Sequence, residues 1–412
     1  MSFGVKEDFL HNPDLVKILI VQRTRIILKS GKDQSIKRYH PWIFSGAIKK
    51  IYGSPAEGDL VDVFDNNDTF LATGHYQPGS IAVRILAFEN IEPDIGFFRE
   101  RIRSAIDYRR STVLKEGKTN VFRLVHAEGD NLPGLVIDYY NGVAVLQTHS
   151  VGMYRLRKEF AEILKDILGD KLTAVYDKSE ETIPHMSGIE AKNGFLYGNS
   201  GPVKILENGF QFLVDFTSGQ KTGFFIDQRE NRRLLTEYTE GRSVLNMFGY
   251  TGAFSVYAMK NARLVHTVDS SAPAIEMANE NIRLNYGNDK RHKSIRTDAF
   301  TYLEDIKEKY DLIILDPPAF AKHNNVLANA LQGYKRLNIR AIEQIKQGGI
   351  IFTFSCSQVV TKENFRKSVF AASANTGRNV RILHQLAQPP DHPVNIYHPE
   401  SEYLKGLVLY VE

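Results

Sequence analysis

The chain has a single cysteine, Cys356, set in IIFTFSCSQ where an apolar run ends and Ser355, Ser357 and Gln358 begin a polar one. A thiolate attacks soft electrophilic carbon and can later leave, so it suits a reaction that opens by adding to an unsaturated ring. A second apolar run, YDLIILD, ends in Asp316 and is followed by Pro317 and Pro318. Two prolines after an acid make a rigid turn exposed at a rim, able to hold a planar base. Together the two residues suit chemistry at a cytosine. Cys356 adds to C6, Asp316, protonated or sharing a proton, hydrogen-bonds N3 or N4, and C5 becomes nucleophilic. C5 attacks a methyl group, its proton then leaves to water or a nearby carboxylate, and the thiol is eliminated. The plainer reading of a lone cysteine is a small buried core residue.

A second constellation suits a cofactor. In VLNMFGYTGAFS, residues Asn246, Phe248, Gly249, Tyr250, Thr251 and Gly252 fall on a turn between an apolar run and a helical one, and the two glycines allow backbone to approach a ligand. Asp269 ends the next run, LVHTVD, about twenty residues on, where a carboxylate accepts from a ribose diol. Asp298 ends the following short run and is placed for an adenine amino group. A helix cap is the alternative for each acid. FGYTGAF lacks the GxGxxG spacing of a dinucleotide site, so S-adenosylmethionine is favoured over NAD, with the Asp316 turn holding a base near its methyl sulfonium.

These residues need a scaffold, and the periodicity supplies one. From about 220, strongly apolar runs alternate with helical patterns, which predicts a doubly wound, Rossmann-like α/β sheet with ligands at the carboxyl ends of its strands. Residues 18–95 read instead as short strands, KILIVQR, RTRIILK, GDLVDVFD, TFLATGHYQ and SIAVRILAF, the pattern of a small β-rich domain. Between them HPWIFSGAI is expected to be a tight turn with aromatic anchors. FFRERIRSAIDYRRSTVL is an amphipathic helix that opens a central α+β domain. The expected domains are 1–95, 96–208 and 209–412.

At 412 residues the chain exceeds one core. With 42% hydrophobic and 24% charged residues it has the balance of a folded protein. No apolar stretch approaches the ~20 residues of a membrane span, and no signal peptide is recognisable, so a cytoplasmic location is expected. The net charge of +4 is compatible with RNA but does not require it. Lys17, Arg23, Arg25, Lys29, Lys32, Lys37 and Arg38 are candidates for a phosphate-facing surface or for an ordinary solvated face. One cysteine excludes an intramolecular disulfide, and the twelve histidines show no HExxH spacing, so no metal is expected.

The order GQKTGFFIDQRENRR, VLNMFGYTGAFS, DPPAF, FSCS and DHPV resembles the bacterial 23S ribosomal RNA large subunit methyltransferase I family over almost the entire chain. The resemblance implies an N-terminal PUA domain containing HPWIFSGAI, a central α+β domain and a Rossmann-like methyltransferase domain. It implies S-adenosylmethionine as cofactor, a cytosine C5 in 23S rRNA or another structured RNA as target, Cys356 as nucleophile and Asp316 as the acid that orients the base. Thr222, Gly223, Phe225, Asp227, Gln228 and Arg229 are implied near the cofactor entrance. Arg229 has an ion pair with Asp227 or a neighbouring acid as its alternative. Arg38, Trp42, Pro317, Phe320, Lys322 and His392 are expected at the substrate. Position 318 is proline, where many RNA cytosine methyltransferases carry a second cysteine, so Cys356 must work without that helper. Two other readings are an RNA base N-methyltransferase that needs no nucleophile and an inactive rRNA-binding protein. Monomer and homodimer both fit.

Overall fold

The computed structural model describes residues 23–184, 188–321 and 323–412. The expected strand at KILIVQR, up to Gln22, the charge of Lys17 and the side chain of Lys322 lie outside them.

Among the described residues, strands β1 (Thr24–Leu28), β2 (Trp42–Phe44), β3 (Ile48–Tyr52), β4 (Leu60–Phe64), β5 (Phe70–Tyr76) and β6 (Ile81–Ala87) form a sheet of order β2-β6-β5-β4-β1-β3. Alternate side chains such as Ile26, Leu28, Val61, Val63, Val83 and Ile85 make its core. HPWIFSGAI is not a turn throughout: Trp42 and Ile43 pair with Arg84 and Val83 as strand β2, and only Ser45–Ala47 turns back toward β3. The aromatic and β-branched side chains there fit a pleated surface, which outweighs the local turn signal of Pro41 and Gly46.

Helix α1 (Ile95–Thr112) begins where Asp94 accepts a hydrogen bond from Phe97 N at 2.8 Å. It packs, with α2 (Val151–Arg155) and α3 (Arg157–Leu168), on a sheet made of β7 (Val121–His126), β8 (Leu135–Tyr140), β9 (Val143–Thr148), β10 (Ala174–Asp177) and β11 (Gly194–Gly198). β12 (Val203–Glu207) and β13 (Phe210–Val214) then form a hairpin. The expected division at 208/209 therefore cuts a hairpin. The physical reason is a shared core: Val121, Tyr140, Val143 and Ala174 of the central sheet pack in one cluster with Ile205, Phe212, Val244 and Phe352.

Helix α4 (Arg229–Leu235) leads into the third unit. Its strands are β14 (Ser243–Met247), β15 (Leu264–Asp269), β16 (His292–Arg296), β17 (Leu312–Leu315), β18 (Gly349–Ser355), β19 (Val380–Ala387) and β20 (Lys405–Val411). They are joined through α5 (Ala253–Ala258), α6 (Ala272–Tyr286), α7 (Ala299–Leu303), α8 (Leu327–Gln344) and α9 (Lys362–Thr376). The sheet order is β16-β15-β14-β17-β18-β20-β19, parallel up to β18 and antiparallel at β20 and β19. β14, β17 and β18 are buried on both faces: Val244, Leu312, Ile314, Ile350 and Phe352 fill one side, and Leu245, Met247, Ile313, Leu315 and Ile351 the other. That explains their continuous apolar runs. The chain order reverses between β14 and β17, and at this switch point the loops diverge and open a crevice.

Candidate active site

The crevice at the carboxyl ends of β14, β15, β17 and β18 is a cleft of about 550 Å³. Phe225, Asp227, Gln228, Phe248, Gly249, Tyr250, Thr251, Asp269, Asp316, Pro317 and Cys356, all anticipated from sequence, line it. β17 and β18 are hydrogen-bonded neighbours, so the residues that follow them, Asp316 and Cys356, must emerge side by side. Cys356 Sγ lies 3.9 Å from the carbonyl oxygen of Pro317.

The electrostatics separate two of the acids that line the cleft, Asp316 and Asp227. Burial and the negative charge of Asp227 push the Asp316 carboxyl up to about 7, although Gln228 Nε2 donates to its Oδ1 at 3.0 Å. Gln228 is itself aimed, because Asn231 Nδ2 donates to its Oε1 at 2.6 Å. Asp227 is buried too, which alone would raise it. The cation of Lys221, His392 and a 2.8 Å hydrogen bond from Tyr403 OH hold it below the ordinary carboxylate value instead. Its Oδ1 has no hydrogen-bond partner among the described residues. Burial pushes the Cys356 thiol up to about 11; Lys221 opposes the shift, and Asp316 and Asp227 add to it. Lys221 also lines the cleft, its ammonium 4.8 Å from the Phe225 ring centroid. Sequence reasoning passed over Lys221, although it lies inside GQKTGFF; its φ of 50° is a strained backbone that residue type does not disclose.

The turn after β14 is built differently from the expectation. Gly249 and Gly252 do not serve a ligand alone. A Cβ on Gly249 would stand 2.3 Å from Thr267 Cγ2, and one on Gly252, whose φ is 74°, would stand 2.8 Å from Ala278 Cβ. The glycines let the turn press against β15 and α6, while Phe248 and Tyr250 carry left-handed backbone beside the cleft. Asp269 ties this turn down: Oδ2 accepts from Tyr250 N and Oδ1 from Ser271 N, both at 2.9 Å.

Other anticipated residues stand elsewhere. Thr222 is buried against Asp138 Oδ2 at 2.6 Å and Tyr140 OH at 2.9 Å, and Gly223 accepts from Tyr250 OH through its carbonyl. Asn246 is buried with its amide on Ser255 Oγ, and Gly252 begins α5, so both support the turn from behind. Asp298 is exposed, caps α7 by accepting from Thr301 N at 3.0 Å, and does not line the cleft. Arg229 does not reach the cofactor entrance. It is buried in a two-bond pair with Asp391, at 2.7 and 3.0 Å, which locks the DHPV segment to the start of α4. His392 is buried behind the cleft, 3.3 Å from Asp391 and ring to ring with His126, with burial and Arg123 holding its pKa below the ordinary imidazole value.

Among the substrate candidates, Pro317 lines the cleft and Phe320 packs on Tyr334 at 4.6 Å. Trp42 is not free to stack on a base. Its Nε1 donates to Glu128 Oε1 at 2.8 Å and its ring lies 4.2 Å from that of His398, so it joins the N-terminal sheet to the other two units. Arg38 is exposed and makes no ion pair among the described residues. Much of the basic segment is internally neutralised: Arg23 pairs with Asp62 and Glu92, Arg25 with Asp68, and Lys37 with Asp33 and Asp65.

The cleft fits S-adenosylmethionine on its own evidence. It offers an ionised buried carboxylate with a free oxygen, Asp227, for an ammonium, and a strand-end acid, Asp269, for a ribose. Among the described residues no helix is long and apolar enough to cross a membrane.

Comparison with known proteins agrees. Residues 26–88 match a PUA-like domain, and residues 185–407, more than half of the chain, match an S-adenosylmethionine-dependent methyltransferase family. The chain is 40% identical to ribosomal RNA large subunit methyltransferase I of Pseudoalteromonas translucida, over 94% of this chain and 99% of that one. It is 38% identical to the protein of the same name from Alteromonas mediterranea, over 94% and 98%. A solved structure from Streptococcus mutans, assigned as an S-adenosylmethionine-dependent methyltransferase, shares the fold with a TM-score of 0.81, 23% identity and coverage of 94% of this chain and 100% of that one. The chain is an S-adenosylmethionine-dependent methyltransferase with a PUA-like domain, and it belongs to the ribosomal RNA large subunit methyltransferase I family.

Proposed function

We propose that this protein methylates C5 of a cytosine in 23S rRNA through a transient adduct on Cys356. The observation that carries the reading is the pairing of a thiol and a proton-holding acid at the ends of adjacent strands, in the cleft that fits the cofactor. Bound S-adenosylmethionine supplies an electrophilic methyl group. Cys356 forms a bond from sulfur to C6 and pushes an electron pair toward N3. Asp316, titrating near neutrality, donates to N3 or N4 and stabilises that charge. C5 thereby gains nucleophilic character. Once C5 carries the methyl group, loss of its proton and of the thiolate restores the ring. Asp227 and Asp269 hold the cofactor, and Pro317 and Phe320 flank the base, which an RNA duplex must first extrude.

The PUA-like domain is the RNA-binding module, and the rRNA assignment follows the names of the relatives. A cytoplasmic location fits an rRNA substrate. The chain acts as a monomer or a homodimer.

The test is incubation with labelled S-adenosylmethionine and unmodified 23S rRNA, followed by mass spectrometry of the nucleosides, with Cys356→Ala in parallel. Labelled 5-methylcytidine that requires Cys356 supports the proposal. Labelled methylguanosine, or label that persists in Cys356→Ala, moves the chemistry to direct N-methylation. Cofactor binding without any label points to a protein that holds rRNA without modifying it.

A further inference from the structure

Three side chains from opposite ends of the chain converge where the N-terminal sheet meets the C-terminal segment: His40, His398 and Glu400. One ligand atom from each lies within 4.8 Å of the other two. His40 Nε2 stands 3.3 Å from Glu400 Oε2, and His398 Nε2 stands 3.7 Å from the same oxygen. Ligands held ~2.0–2.1 Å from a tetrahedral zinc ion stand about 3.3–3.4 Å apart along each edge. The two edges to Glu400 are close to this length, and the two imidazole nitrogens lie within 4.8 Å of one another.

Two further observations distinguish this cluster from an ordinary surface ion pair. His398 is 1% exposed, and its Nε2 has no hydrogen-bond partner although it points toward the other two groups. A buried imidazole nitrogen left unpaired costs free energy unless something else satisfies it. The outer nitrogen of His398 also has a partner, as metal-binding histidines require. His398 Nδ1 lies 2.5 Å from Ser401 Oγ, and His40 Nδ1 lies 3.2 Å from the Trp42 carbonyl oxygen. Where Ser401 Oγ accepts from His398 Nδ1–H, the His398 Nε2 lone pair faces the common centre. The Trp42 N–H donates to His40 Nδ1 at 3.2 Å, so His40 Nε2–H donates to Glu400 and gives up that proton when an ion binds.

We infer that His40, His398 and Glu400 bind a divalent transition-metal ion of the zinc type, which fastens the PUA-like domain to the catalytic domain. Two imidazoles and one carboxylate favour such an ion over calcium or magnesium, which take oxygen ligands. A water completes the tetrahedron. None of the three groups lines the cleft that holds Cys356, so the role of the site is structural. It lies beside Trp42, which already bridges to Glu128 and His398. No sequence motif announces it, because His40 and Glu400 are 360 residues apart.

The test uses the full chain, stripped with a chelator and titrated with cobalt(II) and zinc(II). The expected result is one equivalent bound per chain, tetrahedral d–d absorption with cobalt, and a higher melting temperature with zinc. His398→Ala and Glu400→Gln should each weaken binding at least tenfold and abolish the thermal shift, whereas Cys356→Ala should bind as the parent does. Glu400 is only half-buried, so its substitution tests the site even where His398→Ala folds poorly. Absence of binding, binding unchanged in both site variants, or binding lost only with Cys356 would overturn the inference.

Discussion

Gln228 donates its side-chain N–H to Asp316 at 3.0 Å, and Asn231 fixes the amide that does so. An uncharged donor thus faces an acid that burial and Asp227 hold near pH 7. The hydrogen bond favours the ionised form and partly offsets those two effects. Gln228→Leu should therefore raise the Asp316 pKa above about 7. Because the protonated acid donates to the base, the alkaline limb of the kcat profile should move to higher pH. A profile that falls uniformly at every pH, with an unmoved limb, would count against a direct Gln228 effect on Asp316.

Asp316 also links stability to pH. Its folded pKa of about 7 exceeds the ordinary value of 3.8, so the folded state holds this proton more tightly than the unfolded one. The stabilisation is complete below pH 3.8 and is lost as pH rises through 7. Asp316→Asn removes the charge that must be buried at high pH. The variant should lack methyl transfer yet melt several degrees above the parent at pH 8, with the gain shrinking toward pH 5. Calorimetric scans at the two pH values give the comparison, and an equal gain at both would remove Asp316 as its source.

Lys221 is the cation that opposes the upward shift of the Cys356 thiol. Lys221→Gln should leave less thiolate at a given pH and slow alkylation of Cys356 by iodoacetamide several-fold at pH 8, since one pKa unit is about a tenfold change in thiolate. The rates should converge well above pH 11. Equal rates at pH 8 would mean that the Lys221 charge is spent on solvent.

The Arg229–Asp391 pair is buried on both sides. Arg229→Ala leaves a carboxylate buried beside Arg123 N with its main cation gone, at an expected cost of about 3–5 kcal/mol. A lowered urea midpoint is the readout. Cofactor affinity measured well below that midpoint should change little, because Arg229 does not line the cleft.

Gly249 offers a test by rescue. A methyl group there collides with Thr267 Cγ2, so Gly249→Ala should destabilise by about 1–3 kcal/mol. Thr267→Ser removes that methyl and keeps the hydroxyl between Ser255 and His292. The double variant should recover most of the loss in melting temperature. Failure to recover would shift the cause from this contact to the backbone of the turn.

The sequence by itself determined the alternating units of the catalytic domain and the two residues that name its chemistry. Strands buried on both faces must be written as unbroken apolar runs, and a residue that ends such a run, as Asp316 and Cys356 do, is carried to the ligand-binding edge. That logic is local and period-based, so it can be read from one chain. The tertiary structure decided which neighbours each side chain meets. Arg229 could have faced the cleft or an acid, and Asp391, 162 residues away, made it a buried pair. Trp42, expected at the substrate, is instead held by Glu128 and His398. Asp298 is short enough to cap its own helix, and that nearby bond wins. The His40, His398 and Glu400 cluster exists only because the two ends of the chain fold onto one another, and charges that meet across hundreds of residues leave no periodic trace in the sequence.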